Sequence, residues 1–331
     1  MRPTGPERAA ARAPPLTETE RAMTYAALPD SHADRGGDSW FHRNQIAITP
    51  WLFLAPAILF FLVYVIVPIF QSFQVSLYEW DGLSPAEYVG TRHYEELYYD
   101  PAFYTSLWNN VLWLLLYLLA IPAGLFIALF LNQTVTGIRL YKSLFFFPFV
   151  ISQVVVGLVF TWFYDPTFGL LNVMLEAVGL GPVNVLGDED LVTIGIIAAG
   201  LWPQTAYCMI LYLTGLNAVD PEQIEAARLD GAKGWRMLWH VVVPQLRPAT
   251  FIAFVVTIIG ALRSFDLISI MTQGGPFGAS RVLSFYMFEV ALGEYGFRMG
   301  YGAAIAVVLF LIMLAFIAYF LWSMRRQELG R

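Results

Sequence analysis

Long apolar runs separated by short polar segments dominate the chain. Six of these runs are about as long as the roughly 20-residue helix that crosses a bilayer. They lie near residues 49–72, 108–131, 142–164, 191–214, 249–271 and 301–322. Because backbone polar groups in hydrocarbon must be satisfied within the segment, such runs form helices. The pattern predicts an all-α, polytopic membrane protein with six transmembrane helices.

The composition agrees with this class and excludes several kinds of chemistry. Only 13% of the residues are charged and 58% are hydrophobic, whereas soluble domains carry about 25% charged residues. No phosphate-binding G-x-x-x-x-G-K-[ST] loop occurs, so we expect no bound cofactor and no ATP hydrolysis by this chain. The histidines are scattered, which predicts no metal site. The lone cysteine, Cys208, lies in an apolar run and is interpreted as a packing residue.

Basic residues are distributed unequally over the polar segments. Fifteen Lys and Arg residues lie before the first run, after the second and fourth runs, and after the sixth. The three remaining linkers hold only Arg92, Arg281 and Arg298, together with thirteen acidic residues. Because basic residues concentrate on the cytoplasmic side, both termini and the 215–248 loop are predicted to be cytoplasmic.

Three regions follow from these patterns. Residues 1–45 are predicted to be a disordered cytoplasmic tail that ends in an interfacial anchor at residues 40–43, Trp-Phe-His-Arg. Residues 46–325 form the transmembrane domain, and residues 326–331 form a cytoplasmic tail. Met1 and Met23 are both candidate starts.

The 215–248 loop has the pattern of two helices joined by a turn. Asp220 is a predicted N-cap, Pro221 suits the first helical turn, and Gly231 is predicted to end the first helix. From these signals alone, an amphipathic helix lying on the membrane surface remains an alternative to a docking site for another protein.

The spacing within this loop resembles a known motif. Glu225-Ala226-Ala227, Gly231 and Val241-x-Val243-Pro244 resemble the "EAA" loop of permease subunits of ATP-binding-cassette importers, written as E-A-A, three residues, G, nine residues and I-x-L-P. Val occupies both the Ile and the Leu places. The resemblance implies a coupling helix that docks on a separate ATPase. The residues it implies for coupling are Glu225, Ala226, Ala227, Asp230 and Gly231, with Pro244 as a structural position.

A second motif narrows the implied cargo. It resembles the end of the fifth span in carbohydrate permeases, which is written F-D-x-I-x-x-L-T-x-G-G-P. The matching segments are Arg263-Ser264-Phe265-Asp266-Leu267-Ile268 and Met271-Thr272-Gln273-Gly274-Gly275-Pro276. Met271 replaces the usual Leu. The subfamily resembled is the maltose-type partner with the longer amino terminus, although this chain lacks a large exported insert. The Gly-Gly-Pro sequence also predicts a sharp backbone break as the helix ends.

Polar residues within the spans are candidates for a substrate pathway, because they are costly in lipid. Arg263 and Asp266 are three residues apart and could pair on one helix face, or they could line a wet path. Gln204, Tyr207 and Ser264 fall where maltose-type permeases carry pocket residues, so the resemblance implies that they contact sugar. A packed Tyr207 is the alternative.

The resemblance implies a type I importer permease fold and a sugar-translocating subunit of a prokaryotic plasma (inner) membrane. The implied partners are a second permease subunit, an ATPase dimer that binds ATP, an extracytoplasmic solute-binding protein and membrane lipid, but no nucleic acid. Pairing with a different permease is favoured, and pairing with an identical copy stays open. The alternatives are a non-sugar cargo such as glycerol phosphate, a membrane-embedded enzyme acting on lipid, and a secondary transporter, although no internal repeat is visible.

Overall fold

The computed structural model describes residues 40–133, 136–293 and 297–329, so the tail predicted over residues 1–39 lies outside the described residues. The described residues divide into two compact units, one ending at Ile66 and the other beginning at Val67. In the first unit, helix α1 (Trp40–Phe61) continues into a π-helical turn at Leu62–Ile66. The predicted anchor at residues 40–43 forms the start of this helix.

The second unit is built almost wholly from helices, which confirms the all-α prediction. Two short strands, β1 (Tyr78–Glu79) and β2 (Glu87–Tyr88), form an antiparallel pair. A π-helical turn covers Leu238–Val242. The helices are α2 (Val67–Val75), α3 (Arg92–Tyr99), α4 (Pro101–Tyr117), α5 (Ala120–Leu131), α6 (Ile138–Val150), α7 (Gln153–Phe163), α8 (Leu170–Ala177), α9 (Val192–Asn217), α10 (Pro221–Leu229), α11 (Gly234–Met237), α12 (Val243–Gln245), α13 (Arg247–Leu262), α14 (Asp266–Met271), α15 (Leu283–Leu292) and α16 (Met299–Leu329).

Among the described residues, five helical stretches are long and apolar enough to cross a membrane, and a bent pair of helices makes six when it is counted as one span. We number them as spans in chain order. They are Thr49–Val75, Pro101–Leu131, the bent pair Ile138–Val150 with Gln153–Phe163, Val192–Asn217, Arg247–Met271 and Met299–Ser323. Span 2 begins seven residues earlier than predicted. The reason is local, because the Asp100 carboxylate accepts a hydrogen bond from the amide of Ala102 and Pro101 fills the first helical position.

Span 3 is not the single helix predicted over residues 142–164. Helices α6 and α7 meet at an angle of 98°. Ile151 between them has extended backbone, and the Ser152 hydroxyl accepts a hydrogen bond from the amide of Val155, 3.4 Å away. A serine N-cap starts a new helix at this point, so the chain changes direction within the apolar run.

Span 5 is also broken, between α13 and α14. Residues 263–265 are non-helical, and the carbonyl of Ser264 accepts a hydrogen bond from the Ser284 hydroxyl on α15. That bond satisfies a carbonyl that the break releases, as broken helices in membranes require. Of the two alternatives for Arg263 and Asp266, pairing on one continuous helix face is not what the structure shows, because Arg263 lies in this break and Asp266 begins the next helix.

The centre of the second unit is held by close helix packing. Ala120 and Ala128 are fully buried on α5, and Gly124 lies between them, where an added Cβ would be 2.6 Å from Cys208 Cβ on α9. Small residues at four-residue spacing allow helix backbones to approach closely. This stripe of small residues therefore forms the contact between spans 2 and 4.

Candidate substrate cavity and coupling loop

A cavity of about 340 Å³ lies beside the two helix breaks. Gln153, at the start of α7, lines it from span 3, and Arg263 to Leu267, at the break of span 5, line it from the other side. The remaining wall comes from spans 2 and 4 and from α13. The lining residues are Trp113, Tyr117, Gln153, Gln204, Val256, Ile259, Gly260, Arg263, Ser264, Phe265, Asp266 and Leu267.

Four of the five residues predicted for the substrate pathway meet in this cavity: Gln204, Arg263, Ser264 and Asp266. The amide nitrogen of Gln204 donates to the hydroxyl of Thr257 at 2.9 Å, which fixes the side chain against span 5. Arg263 and Asp266 are both exposed, and neither forms an ion pair within the part of the chain that the structure describes. Their charged groups are therefore available to a ligand.

Tyr207 lies elsewhere. Its ring packs against Phe149 on α6, with ring centroids 5.2 Å apart, and it does not line the cavity. Residues three apart on a helix differ by about 60° in direction, and here Gln204 turns toward span 5 while Tyr207 turns toward span 3. The structure supports the alternative interpretation of Tyr207 as a packed aromatic residue.

Among the cavity residues that sequence reasoning missed are the two aromatic residues Trp113 and Tyr117 and the polar residue Gln153. Trp113 and Tyr117 lie within the continuous apolar run of span 2, where nothing separates a cavity wall from ordinary core. Gln153 could have been found, because it is a polar residue inside a predicted span and such residues are functional candidates.

The loop at residues 215–248, the candidate coupling loop, has the predicted helix-turn-helix form. The Asp220 carboxylate accepts a hydrogen bond from the amide of Glu222 at 2.9 Å, and Pro221 occupies the first position of α10. Gly231 ends this helix with φ +80, a left-handed conformation that glycine adopts without strain. Both predicted boundaries are thereby confirmed, and Pro244 lies in the first turn of α12.

The loop is fastened at its base and exposed at its tip. The side chain of Gln245 accepts a hydrogen bond from the amide of Asp220 at 3.0 Å, which joins the two ends of the loop. Leu246 is 1% exposed and packs in the core between spans 2 and 4. Glu225 and Ala226 are exposed on α10, and Leu229 is 89% exposed. The arrangement presents α10 outward on a fixed base.

At the opposite end of the bundle, the Gly274-Gly275-Pro276 segment forms the predicted break. Gly274 has φ +80, and an added Cβ there would lie 2.6 Å from the Phe285 ring. The segment beyond it is clamped to span 2, because the amide nitrogen of Asn109 donates to the carbonyls of Ala279 (2.6 Å) and Arg281 (2.7 Å). The adjacent Asn109 and Asn110 in an apolar run were a signal that sequence reasoning did not use.

An ion pair ties the start of span 6 to α3 at this same end. The two terminal guanidinium nitrogens of Arg298, Nη1 and Nη2, donate to the Glu96 carboxylate at 2.7 and 2.6 Å. Hydrogen bonding to Arg298 lowers the pKa of Glu96 below its usual range. The linker between spans 1 and 2 is in this way connected to span 6.

Comparison with known proteins places these features in a family. Residues 120–327 match the family described as binding-protein-dependent transport system inner membrane component. The chain is 38% identical over 278 residues to the probable ABC transporter permease protein YurN of Bacillus subtilis, covering 82% of this chain and 94% of that protein. It is 32% identical over 301 residues to the arabinooligosaccharides transport system permease protein AraP of the same organism, covering 88% and 92%.

A solved structure shows the same fold. The bacterial alginate ABC transporter, crystallised in complex with an alginate pentasaccharide-bound periplasmic protein, contains a chain that matches with a TM-score of 0.76 and 21% identity. The match covers 87% of this chain and 97% of that one.

The chain belongs to the family of binding-protein-dependent transport system inner membrane components. It is a multi-pass permease subunit with the type I ABC importer fold, and it is a transport subunit rather than an enzyme.

Proposed function

We propose that this permease subunit translocates a sugar or oligosaccharide through the cavity between the breaks of spans 3 and 5. The cavity itself carries the proposal. It combines hydrogen-bonding and charged groups (Gln204, Arg263 and Asp266) with aromatic walls (Trp113 and Tyr117). Sugars need polar partners for their hydroxyl groups and aromatic surfaces for their apolar faces. A ligand pocket lined by aromatic side chains and a few placed polar groups provides both. The name of the arabinooligosaccharide relative supports the same class of cargo.

The charge distribution supports an orientation for the subunit. The side that carries the coupling loop and both termini holds fifteen of the Lys and Arg residues and would face the cytoplasm. The linkers 76–100, 164–191 and 272–298, which together hold thirteen acidic and only three basic residues, would face outward. An extracytoplasmic solute-binding protein would deliver the sugar to that acidic side. A second, different permease subunit would complete the pathway.

The coupling loop would receive energy from a separate ATPase dimer that binds the ATP. The residues proposed for coupling lie on the exposed helix α10 and just after its end: Glu225, Ala226, Ala227, Asp230 and Gly231. Because the loop is joined at its base through Asp220 and Gln245 and anchored by Leu246, movement of α10 would be passed to spans 4 and 5.

Sugar uptake by variants of the intact transporter tests the cavity. We expect Gln204→Ala to lower uptake strongly, because it removes a polar wall group, and Tyr207→Ala to change it little, since that ring packs outside the cavity. Both variants must reach normal membrane levels. Normal uptake by the Gln204 variant would refute the assignment.

Copurification tests the coupling loop. Glu225→Lys is expected to reduce recovery of the ATPase with the permease, because it reverses a charge on the exposed face of α10. Glu189→Lys is the matched control, a charge reversal on an exposed residue of the opposite end. Equal ATPase recovery for both variants would argue against docking on α10.

A further inference from the structure

Two separate spaces lie one above the other along span 5. The inner one is the substrate cavity, which span 5 lines from Val256 to Leu267. The outer one is a groove of about 1170 Å³ at the end of the bundle that carries the acidic linkers. Ser269, farther along span 5, and Gln273, just beyond its end, line this groove. Tyr99 at the end of α3 and Asp100 before α4 line it as well. A solute that arrives from the acidic side meets the groove before the cavity.

Three phenylalanine rings stand between these spaces. Phe265 lines the inner cavity, whereas Phe285 and Phe288 line the outer groove. The ring centroid of Phe265 is 5.9 Å from that of Phe285 and 5.2 Å from that of Phe288, and the latter two are 6.3 Å apart. Every pair is therefore in aromatic contact, and the three rings form one partition with a face on each space.

The three rings belong to two different elements of the fold. Phe265 lies in the non-helical break of span 5, while Phe285 and Phe288 lie on α15. The two elements are linked next to the rings by the hydrogen bond from the Ser284 hydroxyl to the carbonyl of Ser264. Phe285 is 5% exposed and fixed in the core, but Phe288 is 38% exposed to the groove. Phe288 is thus the ring that can swing aside without opening the core.

We propose that Phe265, Phe285 and Phe288 form the outward gate of the sugar pathway, an inference that rests on the proposed transport function. In the closed state the rings separate the groove from the cavity. When α15 and the break of span 5 move apart, the exposed ring faces line the opening. Aromatic faces suit the apolar faces of a sugar, so the gate residues also guide the cargo inward.

Accessibility of the cavity to a thiol reagent tests the gate without any sugar or ATP. In the assembled transporter, Cys208→Ser removes the native thiol of this subunit, and Gly260→Cys places a reporter thiol in the cavity. The cavity has room for it, because the side chain nearest to a Cβ added at Gly260 is that of Gln204, 3.9 Å away. The probe is a membrane-impermeant, charged methanethiosulfonate added from the extracytoplasmic side. We expect slow labelling with the rings intact, and labelling faster by on the order of tenfold when Phe288→Ala is added, since two ring contacts are lost.

Phe168→Ala is the control, because Phe168 is 68% exposed on another outward linker and lines neither space. It should leave labelling slow. Phe288→Leu retains an apolar side chain without the ring and should give an intermediate rate. Fast labelling with all rings intact, or an unchanged rate in Phe288→Ala, would overturn the gate. A failure of the transport function would appear instead in uptake measurements, with the labelling pattern unaffected.

Discussion

We expect the N-cap of α10, Asp220, to affect transport through the stability of that helix. Asp220→Ala removes the carboxylate that accepts from the amide of Glu222 and that also lies 3.4 Å from the side-chain nitrogen of Gln223. Loss of an N-cap costs about 0.5–2 kcal/mol of helix stability, equivalent to roughly a 2- to 30-fold change in an equilibrium. Helix α10 has nine residues and is exposed, so few tertiary contacts compensate.

Binding of the purified ATPase subunit to the permease measures the effect. The apparent dissociation constant rises as the binding-competent fraction of the loop falls, so we expect a measurable increase of at most about 30-fold. ATP-driven uptake should fall in parallel. Asp220→Asn keeps an acceptor oxygen at the cap and should bind almost as the wild type does. Unchanged binding by Asp220→Ala, or equal losses in both variants, would refute this reasoning.

Three further predictions concern packing, backbone and ion pairing, each measured as the thermal unfolding midpoint of the detergent-purified protein. Gly124→Ala should destabilise the folded protein by about 1–3 kcal/mol and lower the midpoint, because the new Cβ would lie 2.8 Å from the α9 backbone. Gly260→Ala, the control, should leave the midpoint nearly unchanged. Equal midpoints for the two variants would contradict the close contact. Gly274→Ala should lower the midpoint because φ is +80 and the Phe285 ring blocks the Cβ; an unchanged midpoint would oppose this. Glu96→Gln should lower the midpoint slightly at pH 7. The folded-state pKa of Glu96 lies below its usual value, so the contribution of its ion pair is lost as the pH falls from about 4.3 through that lowered pKa, and the difference between the two proteins should then close. A difference that persists in acid would contradict the ion-pair explanation.

Features determined by local chemistry were predictable from the sequence. The cap at Asp220, the turn at Gly231 and the break at Gly274 each depend on one or two neighbouring residues, and the structure has all three. The small-residue stripe around Gly124 was also visible, because its spacing matches one helix face. The number of apolar spans followed from run length.

Features that depend on distant contacts were not predictable. The break of span 5 is supported by Ser284, twenty residues away, so Arg263 and Asp266 looked like neighbours on one helix. The 98° bend of span 3 lies within a run that is mostly apolar, and the local signal of its serine N-cap, Ser152, was not used. The cavity walls at Trp113 and Tyr117 come from span 2, and no local pattern distinguishes a wall residue from a core residue.

ATP-driven sugar accumulation in proteoliposomes tests the central claim most directly. The vesicles would contain this subunit with its permease and ATPase partners, together with the binding protein and a labelled sugar. The account predicts accumulation that requires ATP, binding protein and this subunit, and that falls in Gln204→Ala. Accumulation that continues without ATP, or a complex that hydrolyses ATP yet accumulates none of a panel of sugars and oligosaccharides, would contradict it.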